Sequence, residues 1–293
     1  MTVPFGQRLA QSVAARGPLC VGLDPHAELL LDWGVGDSPD GLRRFTDAVV
    51  DALAGSVALL KPQIAFYERH GSRGLAVLED GVARARAAGA LVLLDAKRGD
   101  IGSTMAAYAD YLRPDHPLAV DAMTVSPYLG PGSLAPAVRT AKAHGGGLFA
   151  LARTSNPDAG TLQHAAVGGR SVAQVVVDTV RGWNTPDPSP GGDEVPDVEE
   201  QLRGQGAFGG TTGSFGVVVG ATLSELDVDL ELLGGPVLAP GLGAQGGAVS
   251  DLRRLFGAGA AVVPTVSRDV LGAGPDPVAL RAAAERWAEA LAA

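Results

Sequence analysis

The feature that most constrains this chain is a rhythm: eight short apolar runs, rich in β-branched residues, alternate with stretches of helical spacing. The runs are LCVGLD (19–24), VALLKPQIAF (57–66), ALVLLDA (90–96), LAVDAMTV (118–125), GLFALAR (147–153), FGVVVG (215–220), PVLAP (236–240) and AAVVPTV (260–266). They are almost continuously apolar rather than alternating, as parallel strands covered on both faces are. Between them, PDGLRRFTDAVVDALAG reads as a helix with Ser38 as N-cap, Pro39 at its first position and Gly55 as its stop. GLAVLEDGVARARAAG, SLAPAVRTAKAHGG and PDPVALRAAAERWAEALAA read the same way. Eight strands alternating with helices predict an α/β fold, a closed (β/α)8 TIM barrel, with a doubly wound open sheet as the alternative. A length of 293 residues, 46% of them hydrophobic, suits one barrel domain over 1–293. The stretch 183–214, rich in proline, glycine and acid, is expected to be an exposed insertion between the fifth helix and the sixth strand.

Charge narrows the partners. With 23 basic and 32 acidic residues the formal charge is -9, which gives no reason to expect nucleic acid or an anionic membrane. An anionic substrate would need a local positive pocket. The single cysteine, Cys20, excludes an intrachain disulfide, and the five histidines never pair at helical metal-ligand spacing. The first residues lack the pattern of a signal peptide, and charges or turns break every apolar run before it could span a bilayer. The expectation is a soluble, cytoplasmic protein.

Barrel enzymes place their chemistry at the C-terminal ends of the strands. There the sequence sets Asp24 after LCVGL, Lys61 after VALL, Asp95 and Lys97 after LVLL, and Asp100 three residues on. Lys61 interrupts an apolar strand that resumes at once, so its ammonium needs an acidic partner on a neighbouring strand. Asp95 and Lys97, two apart on a continuing strand, would face the same way. Lysines held among carboxylates stay protonated, which disfavours a Schiff-base role and favours proton donation and stabilisation of developing negative charge. Such an array suits a reaction that expels a carboxylate and protonates the carbanion left behind.

After the seventh strand the chain reads APGLGAQGG (239–247), and after the eighth PTVSRDVLGAG (264–274). These two loops bind phosphate in many (β/α)8 enzymes, through backbone N–H groups and a helix N-terminus. Gly241, Gly243, Gly246 and Gly247 would permit close backbone approach, Gln245 a hydrogen bond, and Arg268 a bidentate fork. Arg153, Ser155 and Asn156 read as turn formers rather than rim ligands.

Together these residues resemble the orotidine 5'-phosphate decarboxylase family. DAKRGDIGST at 95–104 is similar to the family's D-x-K-x-x-D-I signature. Asp24 in VGLDPH, Lys61 in LKPQIAFYE, PGLGAQGG at 240–247 and Arg268 match its other motifs in order. VSPYLG (125–130) and ARTSNP (152–157) resemble its longer bacterial branch. The resemblance implies cofactor-free decarboxylation of orotidine 5'-monophosphate to UMP, the last step of de novo UMP synthesis. It sets Asp95 against the substrate carboxylate and makes Lys97 the proton donor to C6. Lys61 and Asp24 would bind the ribose hydroxyls, and Ser126 would contact the pyrimidine. The phosphate would fall to Gln245, Gly246 and Arg268. The resemblance also implies a homodimer in which Asp100 and Thr104 reach the partner's site. Two alternatives stay open: a magnesium-dependent sugar-phosphate decarboxylase or aldolase of related barrel type, and a non-catalytic nucleotide- or phosphate-binding barrel.

Overall fold

In the computed structural model, which describes residues 2–185, 208, 212–257 and 259–293, the eight apolar runs become eight parallel strands closed into a barrel. They are β1 (Cys20–Leu23), β2 (Leu59–Pro62), β3 (Leu91–Arg98), β4 (Ala122–Val125), β5 (Gly147–Arg153), β6 (Phe215–Val219), β7 (Val237–Pro240) and β8 (Val262–Val266). β1 closes the ring by pairing with both β2 and β8. The open-sheet alternative is thereby excluded.

The continuous apolar character of the strands has a simple origin, because side chains alternate between two different cores. Outward-facing Val21, Leu23, Leu60, Val92, Leu94, Met123 and Val125 join the large core under the helices. Inward-facing Cys20, Leu59, Leu91, Leu93, Ala122, Phe149, Val218, Leu238 and Val263 form a second core inside the barrel. Burial pushes the Cys20 thiol up to about 12, so it stays neutral and unreactive.

Helices α1 (Phe5–Arg16), α2 (Pro39–Leu53), α3 (Gly71–Ala87), α4 (Gly102–Ala109), α5 (Ala135–His144), α6 (Val172–Asn184), α7 (Val249–Phe256) and α8 (Pro277–Ala292) surround the strands. Ser38 caps α2 as its sequence predicts, accepting from Gly41 N–H at 3.1 Å. The strict alternation fails at one place. Residues 220–236, between β6 and β7, carry no helix; Leu223, Val228 and Leu233 cover the sheet from an irregular segment instead. A short antiparallel hairpin, Ala166–Val167 with Arg170–Ser171, precedes α6 and had no counterpart among the expected strands.

The expected insertion at 183–214 lies mostly outside the described residues. Its edges are described and are held together: Asn184 accepts from Phe215 N–H at 3.0 Å and donates to the carbonyls of Phe215 and Leu233 at 2.8 and 3.0 Å. Trp183 and Asn184 belong to α6 rather than to the insertion.

The N-terminal face of the barrel is stoppered by α1. Phe5 and Leu9 enter the inner core, and Phe5 meets Phe149 edge to face at 6.0 Å. Gly147 is required beneath it, since a Cβ there would lie 2.3 Å from the Phe5 ring. Arg8 pairs with buried Asp121, whose other oxygen accepts from Val92 N–H at 2.9 Å and lies 3.4 Å from Arg86 Nε. The stopper leaves only the opposite mouth for chemistry. Phe5→Ala should therefore lower the unfolding free energy by about 3–5 kcal/mol, read by urea titration; a loss under 1 kcal/mol would mean α1 is dispensable to the barrel.

Candidate active site

Along the inward-facing positions, apolar residues at the floor give way to polar ones at the mouth. Leu59 is followed by Lys61 and Gln63, Leu93 by Asp95 and Lys97, Ala122 by Thr124 and Ser126, and Cys20 by Gly22 and Asp24. Lys61 sits beside Gly22 in the β1–β2 register. It is 5% exposed and Asp95 8%.

Asp95 is the hub. Its Oδ2 accepts from Lys61 Nζ at 3.1 Å and Gln63 Nε2 at 3.0 Å; its Oδ1 accepts from Lys97 Nζ at 2.7 Å and Thr124 Oγ1 at 2.9 Å. Four donors, two of them cationic, saturate one carboxylate. Burial works against its ionisation, but the charges of Lys61 and Lys97 outweigh burial and hold Asp95 well below the usual carboxylate range. Burial likewise opposes the charge on Lys61, and Asp95 followed by Asp24 more than offsets it, so its ammonium is held above the usual lysine range. The pair is ionised.

The expected regular strand through Asp95 and Lys97 is not what brings these side chains together. β3 and β4 are in register at Leu94↔Met123 and again at Arg98↔Val125, so β3 carries a bulge between. Within it Lys97 adopts φ 48°, the only non-glycine residue at positive φ among those described. Thr124 pins the bulge: its Oγ1 accepts from Lys97 N–H at 2.9 Å while donating to Asp95. The Lys97 side chain stays 45% exposed, open to the mouth.

The other expected residues divide into two groups. Asp24 lies beside this cluster, and its Oδ1 is buried without a hydrogen-bond partner, as is Ser267 Oγ. Both border Gly22, where an added Cβ would lie 3.0 Å from Asp24 Oδ2 and 3.2 Å from Ser267 Oγ. Buried polar atoms left open at a barrel mouth mark a place for a polar ligand. Ser126 is half-buried and held by its own N–H to Arg98 O at 2.8 Å. Asp100 and Thr104 stand apart from the cluster: Asp100 accepts from Ile101 N–H at 2.8 Å, and Thr104 is exposed on α4. Asn156 accepts from Thr154 Oγ1 at 2.7 Å, a local turn contact, whereas Arg153 ends β5 and is bound to the distant Asp227 at 2.9 Å rather than forming a turn.

At the phosphate-type loops, Gln245, Gly246 and Arg268 are all exposed, Gln245 on a 3-10 turn (Gly243–Gln245) and Arg268 at the start of a four-residue helix (Arg268–Leu271). Most of the turn's backbone donors are already engaged: Gly243 N–H with Gly247 O, Gly246 N–H with Gly243 O, Gly247 N–H with Gly241 O and Ala244 N–H with Asp269. The glycines serve the shape of the turn, with Gly246 at φ 98°, and the turn offers the Gln245 side chain outward. Among the described residues no three of His, Cys, Asp and Glu converge as a metal site, and no helix is long and apolar enough to cross a membrane.

Gln63 and Thr124 were not anticipated from sequence. Their signal was available, since each lies two residues from a strand position already known to face inward.

The model of the orotidine 5'-phosphate decarboxylase / HUMPS family matches residues 17–284. An orotidine 5'-phosphate decarboxylase of Salinispora arenicola is 55% identical over 285 residues, 96% of this chain and 95% of that protein. One from a Nocardioides species is 56% identical over 274 residues, 92% of each. The crystal structure of a Streptomyces avermitilis protein assigned as an orotidine 5'-phosphate decarboxylase superimposes with a TM-score of 0.87 at 55% identity, covering 100% of this chain and 98% of that one. The Leishmania donovani OMP decarboxylase superimposes with a TM-score of 0.69 at 28% identity, covering 99% and 98%.

The charge network also sets a pH signature. The depressed Asp95 carboxyl contributes stability that is present above its unfolded value near about 4 and is lost as pH falls through its folded value. The raised Lys61 ammonium contributes stability present below about 10.4 and lost as pH rises through its folded value. Lys61→Met, which strands part of the Asp95 charge, should cost about 3 kcal/mol near neutrality. The gap from wild type should narrow as pH drops below about 4. Urea unfolding at a series of pH values tests this, and a gap that stays constant into acid would contradict it.

Proposed function

The chain belongs to the orotidine 5'-phosphate decarboxylase family and is a carboxy-lyase, and from that premise we propose a metal-free mechanism for decarboxylation of orotidine 5'-monophosphate to UMP. The observation that carries it is the Lys61–Asp95–Lys97 array with its four-donor carboxylate. The C6–carboxylate bond of the pyrimidine breaks, carbon dioxide leaves, and the electron pair stays on C6. Lys97 meets that pair with fixed positive charge and then gives C6 a proton. Its exposure to the mouth allows the ammonium to be restored from solvent. Preorganised charge of this kind acts without reorganising during the reaction.

Asp95 holds the Lys97 ammonium in place and presents negative charge next to the substrate carboxylate. Asp24, with its unpartnered oxygen, and Lys61 take the ribose hydroxyls. Ser126 takes the pyrimidine, and Gln245 and Arg268 the phosphate, with Gly246 shaping the turn that presents Gln245. Magnesium is not part of this reading, because the carboxylate it would need is already occupied by two ammonium groups, an amide and a hydroxyl. A homodimer is part of it, with Asp100 and Thr104 completing the partner's site. Asp100 and Thr104 lie on the rim beside exposed Ile101, Tyr128 and Leu129, whose loops touch where Gly99 abuts Ser126. An apolar patch of this kind is commonly covered in an assembly.

The decisive assay follows the ultraviolet absorbance of orotidine 5'-monophosphate in excess EDTA. Wild type should turn it over, and Lys97→Ala, still folded, should lose at least about a thousandfold in kcat. Loss of wild-type turnover in chelator would move the chain to the magnesium-dependent reading. Arg268→Ala should raise KM for the nucleotide about tenfold or more while leaving uridine binding unchanged. An unaltered KM would remove Arg268 from the phosphate grip.

A further inference from the structure

The phosphate reading leaves one charged side chain unaccounted for. Asp269 follows Arg268 directly, yet it points across to the β7 loop rather than out with its neighbour. Its Oδ1 accepts from Ala244 N–H at 2.9 Å, inside the Gly243–Gln245 turn. Its Oδ2 lies so close to Gly243 that a Cβ there would come within 2.2 Å of it, and within 3.0 Å of Trp287 Cζ2 on α8. Gly243 also holds φ 68°, a conformation that side chains disfavour. The turn is therefore seated between a carboxylate from the β8 loop and an indole from the last helix, and only glycine fits the seat.

We propose that Asp269 is a positioning residue for phosphate binding, locking the Gln245 turn to the Arg268 turn so that the two phosphate-facing side chains act as one grip. The inference rests on the phosphate assignment above. An acid beside an anion site is unfavourable by charge alone, so its presence there calls for a compensating structural task. The single backbone hydrogen bond to Ala244 supplies that task. What matters on this account is an acceptor at Oδ1, not the negative charge.

That distinction gives the test. UMP and uridine are titrated calorimetrically into wild type, Asp269→Ala, Asp269→Asn and Gly243→Ala. Wild type should prefer UMP strongly. Asp269→Ala should lose roughly tenfold in UMP affinity with uridine affinity held within about twofold, and Gly243→Ala should do the same by pushing the carboxylate off its seat. Asp269→Asn, which keeps an acceptor oxygen, should stay within about threefold of wild type for UMP. An Asp269→Ala variant that binds UMP like wild type would overturn the proposal. So would equal losses for UMP and uridine, which would mark a general structural role, or an Asn variant as impaired as the Ala one. A wild type that does not discriminate UMP from uridine would instead overturn the phosphate assignment itself.

Discussion

One carboxylate, Asp95, sets the terms for the rest of this barrel. Taking an aspartate and a lysine out of water costs several kcal/mol per ion, and the pair is tolerable only when every remaining lone pair and proton is also satisfied. For the carboxylate the structure meets that condition with Lys61, Gln63, Lys97 and Thr124 from three adjacent strands. Much local geometry follows from it. β3 bulges where Lys97 turns back to Asp95, and Thr124 fixes the bulge by bonding both residues. The inner core beneath, closed by α1, is apolar and sets the array on a low-dielectric floor.

The barrel thus divides by height. Its floor is a packed core whose residues answer for stability, including the Arg8–Asp121 pair that fastens the stopper. Its mouth carries two polar regions: the charge array on β1 to β3, and the β7 and β8 loops where Gln245 and Arg268 are exposed. On the proposed reading, binding energy from a phosphate held in the second region organises the first, since remote contacts raise turnover when they position the reacting group. Asp24 and Ser267 stand between them with open polar atoms around Gly22.

Much of this was legible in the sequence because the relevant signals are local. Apolar runs located all eight barrel strands, and Lys61 inside such a run announced a buried charge. What escaped was non-local. Positive φ at Lys97 leaves no mark on the sequence, because it is imposed by Thr124 on the next strand. The helix-free crossover at 220–236 covers the sheet with Leu223, Val228 and Leu233, a pattern a helix could equally have carried. The stopper role of α1 depends on Gly147, far along the chain, yielding space to Phe5. The glycine-rich turn looked like a cradle of free amides, yet folding engages most of them within the turn and on Asp269.

The central claim is that the Lys97 ammonium, held by Asp95, stabilises negative charge at C6. The most direct measurement is the affinity of a UMP analogue carrying an anionic oxygen at C6, relative to UMP itself, in wild type and in Lys97→Ala. The account predicts that wild type prefers the anion by at least about a hundredfold and that the variant loses this preference while still binding UMP. A preference that survives removal of Lys97 would place the stabilising charge elsewhere and contradict the account.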